Sequence, residues 1–201
     1  MTELNCPVCG ASVPAELKFA KLTVCEHCKT SLFLEDDAVK NIGTKSALAD
    51  APSVFEIGHR YQYRNWIIEI FGRARFDYGD GYWDEWWVLL DSGAGRWVSV
   101  DEGDIAVEST VELDERLPSF ENARIGQEVR LDGMGLCVTE KNSARCLGVE
   151  GQLPEIIMPG DTHDYLHLSG PKGALYTVEY QNGSIDIHRG SWIDPFDIQP
   201  L

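Results

Sequence analysis

The chain of 201 residues lacks most of what marks an enzyme or a membrane protein in sequence. No apolar run approaches the roughly 18 residues that a membrane-crossing helix needs. The opening residues MTELNCPVCG carry neither the charged nor the hydrophobic region of an export signal. A cytoplasmic protein without direct membrane insertion is therefore expected. Basic residues are also scarce, 17 Lys and Arg against 33 Asp and Glu, for a formal charge of −16. Phosphate backbones are held by Lys and Arg that displace counterions, so no nucleic-acid partner is expected. GxSxG, HExxH, the P-loop and GxGxxG are all absent. No catalytic residue and no organic-cofactor site are assigned on motif grounds.

What is present is a composition able to fold. Hydrophobic residues make up 43% of the chain and aromatic residues 10%, enough to pack a core in one or two domains. The first 50 residues hold 5 basic and 7 acidic residues, so 14 of the 16 excess negative charges lie beyond them.

Four of the six cysteines form Cys6-Pro-Val-Cys9-Gly and Cys25-Glu-His-Cys28, with 15 residues between the pairs. Two cysteines three apart in a tight turn aim both thiolates at one ion, and two such knuckles close a tetrahedral four-sulfur site. Gly10 supplies the left-handed backbone that such a knuckle uses. Residues 1–34 therefore read as a zinc ribbon with a structural zinc, its hairpins formed by Ser12 onward, Lys18 to Val24 and Thr30 to Leu34. Iron in a rubredoxin-like knuckle is a weaker alternative because the 15-residue spacing is short for it. Disulfides conflict with the missing export signal. Four thiolates also leave no open position for catalytic water. His27 reads as solvated, and Cys137 and Cys146 as small buried apolar residues.

Residues 35–53 show no sustained period and read as a linker. From 54 to 201 short β-rich segments alternate with glycine turns, which predicts an all-β domain, a sandwich or barrel. Two halves of this region, about 54–112 and 124–193, resemble each other. Glu56-Ile57-Gly58 aligns with Arg124-Ile125-Gly126, each read as opening a strand. The Trp66 strand aligns with the segment at Met134, and Asp84-Glu85-Trp86-Trp87 with His163-Asp164-Tyr165-Leu166. Two duplicated β-units that pair their sheets would cover each other's edges.

The pattern of Ile57-Gly58, the Trp66 strand, Trp83 to Leu90, Trp97 and Gly103 resembles the bacterial family catalogued as domain of unknown function 4178. Val138-Thr139-Glu140, Glu150 to Pro154 and Asp164 to Leu168 carry the resemblance into the second half. It covers about Phe55 to Ile193 and implies no catalytic residues. It implies an accessory role, because members are often preceded by a zinc ribbon and tend to occur near genes for membrane stress proteins and polyamine-type synthases.

The stretch Gly81 to Trp87, GYWDEWW, holds three of the six tryptophans. Period-two alternation puts Tyr82, Asp84, Trp86, Val88 and Leu90 on one face and Trp83, Glu85, Trp87 and Leu89 on the other. A strand buried on both sides accounts for this, with one carboxylate paired to Arg73, Arg75 or Arg96. Trp83, Asp84, Glu85, Trp86 and Trp87 are also the candidate contacts for a partner, since carboxylates beside indoles recognise cations. The expected function is a binding or adaptor protein whose partner is a protein, membrane-associated by the family context, or a small cationic ligand. The rival is an enzyme acting on a small cationic substrate through Asp84, Glu85 or Glu150. A third possibility is a purely structural subunit of a larger assembly. A metal site from His163, His167 and Asp161 is disfavoured, because the two histidines stand about 13 Å apart on a straight strand.

Overall fold

A computed structural model describes residues 4–13, 20–35, 38–46, 48, 53–181 and 183–201. It is all β: among the described residues the only helical pieces are single 3-10 turns at Phe120–Asn122, Pro171–Gly173 and Pro195–Asp197. The N-terminal region holds β1 (Leu4–Asn5), β2 (Ser12–Val13), β3 (Leu22–Val24), β4 (Thr30–Glu35) and β5 (Ala38–Lys45). A first meander follows, made of β6 (Arg60–Tyr63), β7 (Trp66–Asp77), β8 (Tyr82–Leu90), β9 (Gly95–Asp101) and β10 (Asp104–Thr110). The second is β11 (Glu128–Leu131), β12 (Met134–Leu153), β13 (Thr162–Ser169), β14 (Ala174–Gln181) and β15 (Ser184–Ile193). A last strand, β16 (Ile198–Pro200), pairs with β6.

The meanders close on each other. β10 pairs with β15 and β7 with β12, so the ring β7-β8-β9-β10-β15-β14-β13-β12 returns to β7 as an antiparallel barrel. Closure removes the unpaired edges that either half alone would expose. Each seam joins strands holding the same place in their own meanders, second with second and fifth with fifth.

The registers of the two halves also coincide. Ile70↔Val88, Gly72↔Trp87 and Phe76↔Trp83 in the first have counterparts Val138↔Leu168, Glu140↔His167 and Ala144↔His163 in the second. A bulge falls between Ile70 and Gly72 and again between Val138 and Glu140. The Ile-Gly pairs are turns rather than the strands expected of them, because Gly58 and Gly126 sit at φ +81° and +83°. Gly58 N–H donates to the Ile70 carbonyl and Gly126 N–H to that of Val138, both at 2.8 Å. By this register Trp83, Glu85 and Trp87 correspond to His163, Tyr165 and His167, one residue off the alignment drawn from sequence.

Alternation along the strands sorts side chains into three cores. One outer face carries Tyr61, Ile68, Ile70, Trp86, Val88 and Val98 under Phe55, and the other carries Leu131, Leu136, Val138, Leu166, Leu168 and Tyr176. The third core lies inside the ring and contains Ala74, Phe76, Trp83, Trp97, Ala144, Cys146, Val149 and Tyr165, joined by Leu22 and Val24 of β3.

The β4 sheet extends into the segment expected as a linker. Within 35–53, the segment Ala38–Lys45 is a strand paired with β4. Ala38-Val39 and Ile42 supply β-branched or small residues in a charged stretch, and the adjacent β4 edge gives them a ladder to join. β3 in turn pairs with the far end of β12, Thr23↔Gln152 and Leu22↔Leu153. The Ser46 hydroxyl donates to the Val149 carbonyl and accepts from its N–H, both at 2.6 Å. It thereby satisfies backbone groups beside the β12 bulge between Cys146 and Gly148. The ribbon is thus hydrogen-bonded into the barrel wall. The expected strand portion at residues 18 and 19, and 36–37, 47 and 49–52 of the expected linker, lie outside the described residues.

Candidate functional site

Two chemically distinct centres emerge. In the N-terminal region Cys6 and Cys25 are buried, Cys28 half-buried and Cys9 exposed, with all four Sγ atoms within 4.8 Å of one another. Cys6 to Cys28 and Cys9 to Cys25 are each 3.7 Å. A tetrahedron with metal–sulfur bonds of about 2.3 Å has edges of about 3.8 Å, so the four thiols fit one ion. The knuckles are built alike. Gly10 N–H donates to the Cys6 carbonyl and Lys29 N–H to that of Cys25, each at 2.8 Å. Gly10 and Lys29 take positive φ, +76° and +59°. His27 is exposed and outside the cluster.

The second centre is the interior of the ring. A cavity of about 190 Å3 is lined by six carboxylates, Glu85, Asp101, Asp104, Glu108, Glu140 and Glu179, with Trp83, Tyr165, His163, His167 and Trp192. A smaller compartment of about 40 Å3 shares Glu85, His163 and Glu179 with it and adds Trp97, Glu155, Asp161 and His188. Neither lining contains a lysine or arginine among the described residues. These groups converge because the inward positions of β8, β9, β10, β12, β13, β14 and β15 point into one closed ring, where alternation places every second residue.

The electrostatics follow from that enclosure. Glu85 accepts from Trp83 Nε1 at 3.0 Å, yet burial, with repulsion from Glu108 and Glu155, pushes its carboxyl up to about 7. Burial also raises Glu179 well above the usual carboxylate range, and Glu85, Glu155 and Glu108 add to the rise. Glu155 is raised by burial too. At the other end, Glu140 is held below the ordinary range by His167 and then Tyr165. His167 Nδ1 is 2.9 Å from its carboxylate, and the Tyr165 hydroxyl donates at 2.5 Å. A carboxylate only accepts, so in this pair the Nδ1 carries the proton. Glu108 accepts from Thr177 at 2.9 Å. His163, 8% exposed, is pushed down to about 4 by burial, and its Nε2 has no hydrogen-bond partner among the described residues.

The residues of GYWDEWW divide between the two faces. Trp86 is buried on the outer side, edge-on to Phe55 at 5.8 Å and 5.0 Å from the Arg73 guanidinium. Asp84 is buried beside it, where Arg75 donates two hydrogen bonds at 2.7 and 2.8 Å and Arg73 lies 3.6 Å away. Trp83 faces inward and meets Tyr165 edge-on at 5.3 Å. Glu85 lines the lumen, Tyr82 is exposed on the outer surface, and Trp87 borders a surface cleft with Lys21, Arg96 and Trp97. An exposed aromatic patch for a protein is therefore not formed by Trp83, Asp84 and Trp86. Of the carboxylates named for the rival enzyme, Asp84 and Glu150 are bound to Arg73 and Arg75, Glu150 at 2.6 Å, and only Glu85 lines the lumen. The histidines and Asp161 form no metal cluster among the described residues. Glu108, Glu140 and Glu179 were not singled out from sequence. Their one sequence signal is a charged residue at an inward position of a strand, visible only once the face is known.

No helix of the described residues is long and apolar enough to cross a membrane. No curated protein and no solved structure matches the chain. Residues 57–195, which span both meanders, match the family described as Domain of unknown function (DUF4178), and the chain belongs to that family.

Proposed function

We propose that the protein binds a small organic cation inside its barrel, with the two meanders acting as copies of one unit and the ribbon holding a structural zinc. One observation carries the ligand reading: six carboxylates surround one cavity and no lysine or arginine lines it among the described residues. Carboxylates brought together without a counter-charge repel one another and favour protonation, and an incoming cation relieves both penalties at once. The volume exceeds the roughly 150 Å3 that admits a benzene-sized guest. The adaptor role retains support only as docking through surfaces other than the buried tryptophans.

Calorimetric titration of the full chain at pH 8 with n-butylammonium, n-butanol and butyrate tests this reading. Binding of the ammonium alone is the expected result. Equal affinity for the neutral alcohol, or a preference for the anion, sinks it. For the ribbon, about one zinc per chain is expected in reduced protein, and Cys25→Ser should lose it.

A further inference from the structure

The oxygens of six carboxylates make the lumen richer in hydrogen-bond acceptors than in donors. Glu179 borders both compartments and accepts no hydrogen bond from any described residue. Glu85 has a single donor, Trp83 Nε1, and Glu108 a single donor, Thr177. Of the other donors that line the cavity, the Tyr165 hydroxyl and His167 Nδ1 are spent on Glu140 and the Thr139 hydroxyl on the His167 carbonyl. His163 borders both compartments as well, is more than nine-tenths buried, and has an Nε2 with no partner among the described residues. Enclosed acceptors without donors are costly, and a bound group that supplies N–H bonds recovers that cost. A quaternary ammonium brings charge but no donor.

We infer that the ligand is an amine that keeps its N–H bonds, a primary or secondary ammonium, in preference to a quaternary ammonium. This rests on the cation-binding reading above and narrows its chemical class. The charge of the carboxylates alone would suit either kind of cation. The unmet carboxylate of Glu179, and the His163 Nε2 in the tautomer that leaves it bare, distinguish them.

The test compares two ions of nearly equal shape and equal charge, tert-butylammonium and tetramethylammonium, by calorimetry on the full chain at pH 8. About tenfold tighter binding of tert-butylammonium is expected, the worth of hydrogen bonds to charged or buried acceptors. His163→Phe, which keeps ring bulk and removes an acceptor, should narrow that ratio in a protein whose melting is unchanged. Equal affinity of the two ions overturns the inference while leaving the cation reading intact. Failure of tert-butylammonium to bind overturns it whether or not n-butylammonium binds. An unchanged ratio in folded His163→Phe removes that histidine from the argument and overturns its part of the inference.

Discussion

At the scale of single residues, Glu85 gives the most direct prediction. Its carboxyl is raised from the usual 4.5 to about 7 in the folded chain, first by burial. The native state therefore holds more protons than the unfolded chain between those values, and stability should fall as pH rises through that window. Glu85→Gln removes the ionisation, so it should flatten the fall and melt higher than wild type at pH 8, with little difference at pH 4. A scan of melting temperature against pH reads both. Cation binding has the opposite dependence, because deprotonated carboxylates attract the ligand, so affinity should strengthen from pH 6 to pH 8. On the outer face Asp84→Ala leaves the guanidinium of Arg75 buried without its bidentate partner, and a loss of about 3–5 kcal/mol in urea unfolding is expected.

The elements show how far the sequence could be read. The four-cysteine spacing and the period-two alternation of GYWDEWW survive almost unchanged, because each depends on neighbours a few residues away. Asp104–Thr110 carries little strand signal in sequence, since Asp104, Glu108, Ser109 and Thr110 make it largely polar. Asp104 and Glu108 line the lumen, where charge is tolerated. The polar run Glu140 to Ser143 likewise resembles a turn in sequence, yet Met134–Leu153 is one continuous strand, paired with β13 across that run. An apolar core is legible from composition, whereas a polar interior looks like surface. The β7–β12 seam depends on close backbone approach, with Gly72 facing Gly151. A Cβ on Gly72 would stand 2.3 Å from the Gln152 carbonyl oxygen, and one on Gly151 2.2 Å from that of Phe71. Gly72→Ala should therefore destabilise by about 1–3 kcal/mol or more through overpacking, measured by chemical denaturation. Gly133→Ala, at a turn with open space, should show only the smaller cost of its positive φ.

For the whole molecule, β3 of the ribbon pairs with β12 and joins the barrel core, so a metal held by the four cysteines would stabilise the barrel as well. Leu22 and Val24 pack among Trp83, Trp97 and Tyr165 and lead directly into Cys25. Removing the metal with a chelator under reducing conditions should lower the tryptophan-detected melting temperature by roughly 10 °C or more. A barrel transition indifferent to chelation would show the two parts to be independent. The seams also bear on how the chain is made. Leu22 waits for Leu153, and Ile105 for Ile193, before their ladders form. At about 5–20 residues per second of synthesis, the first meander spends several seconds outside the ribosome with both flanks unpaired, so chaperone capture of the nascent chain should peak before Ile193 emerges and end soon after.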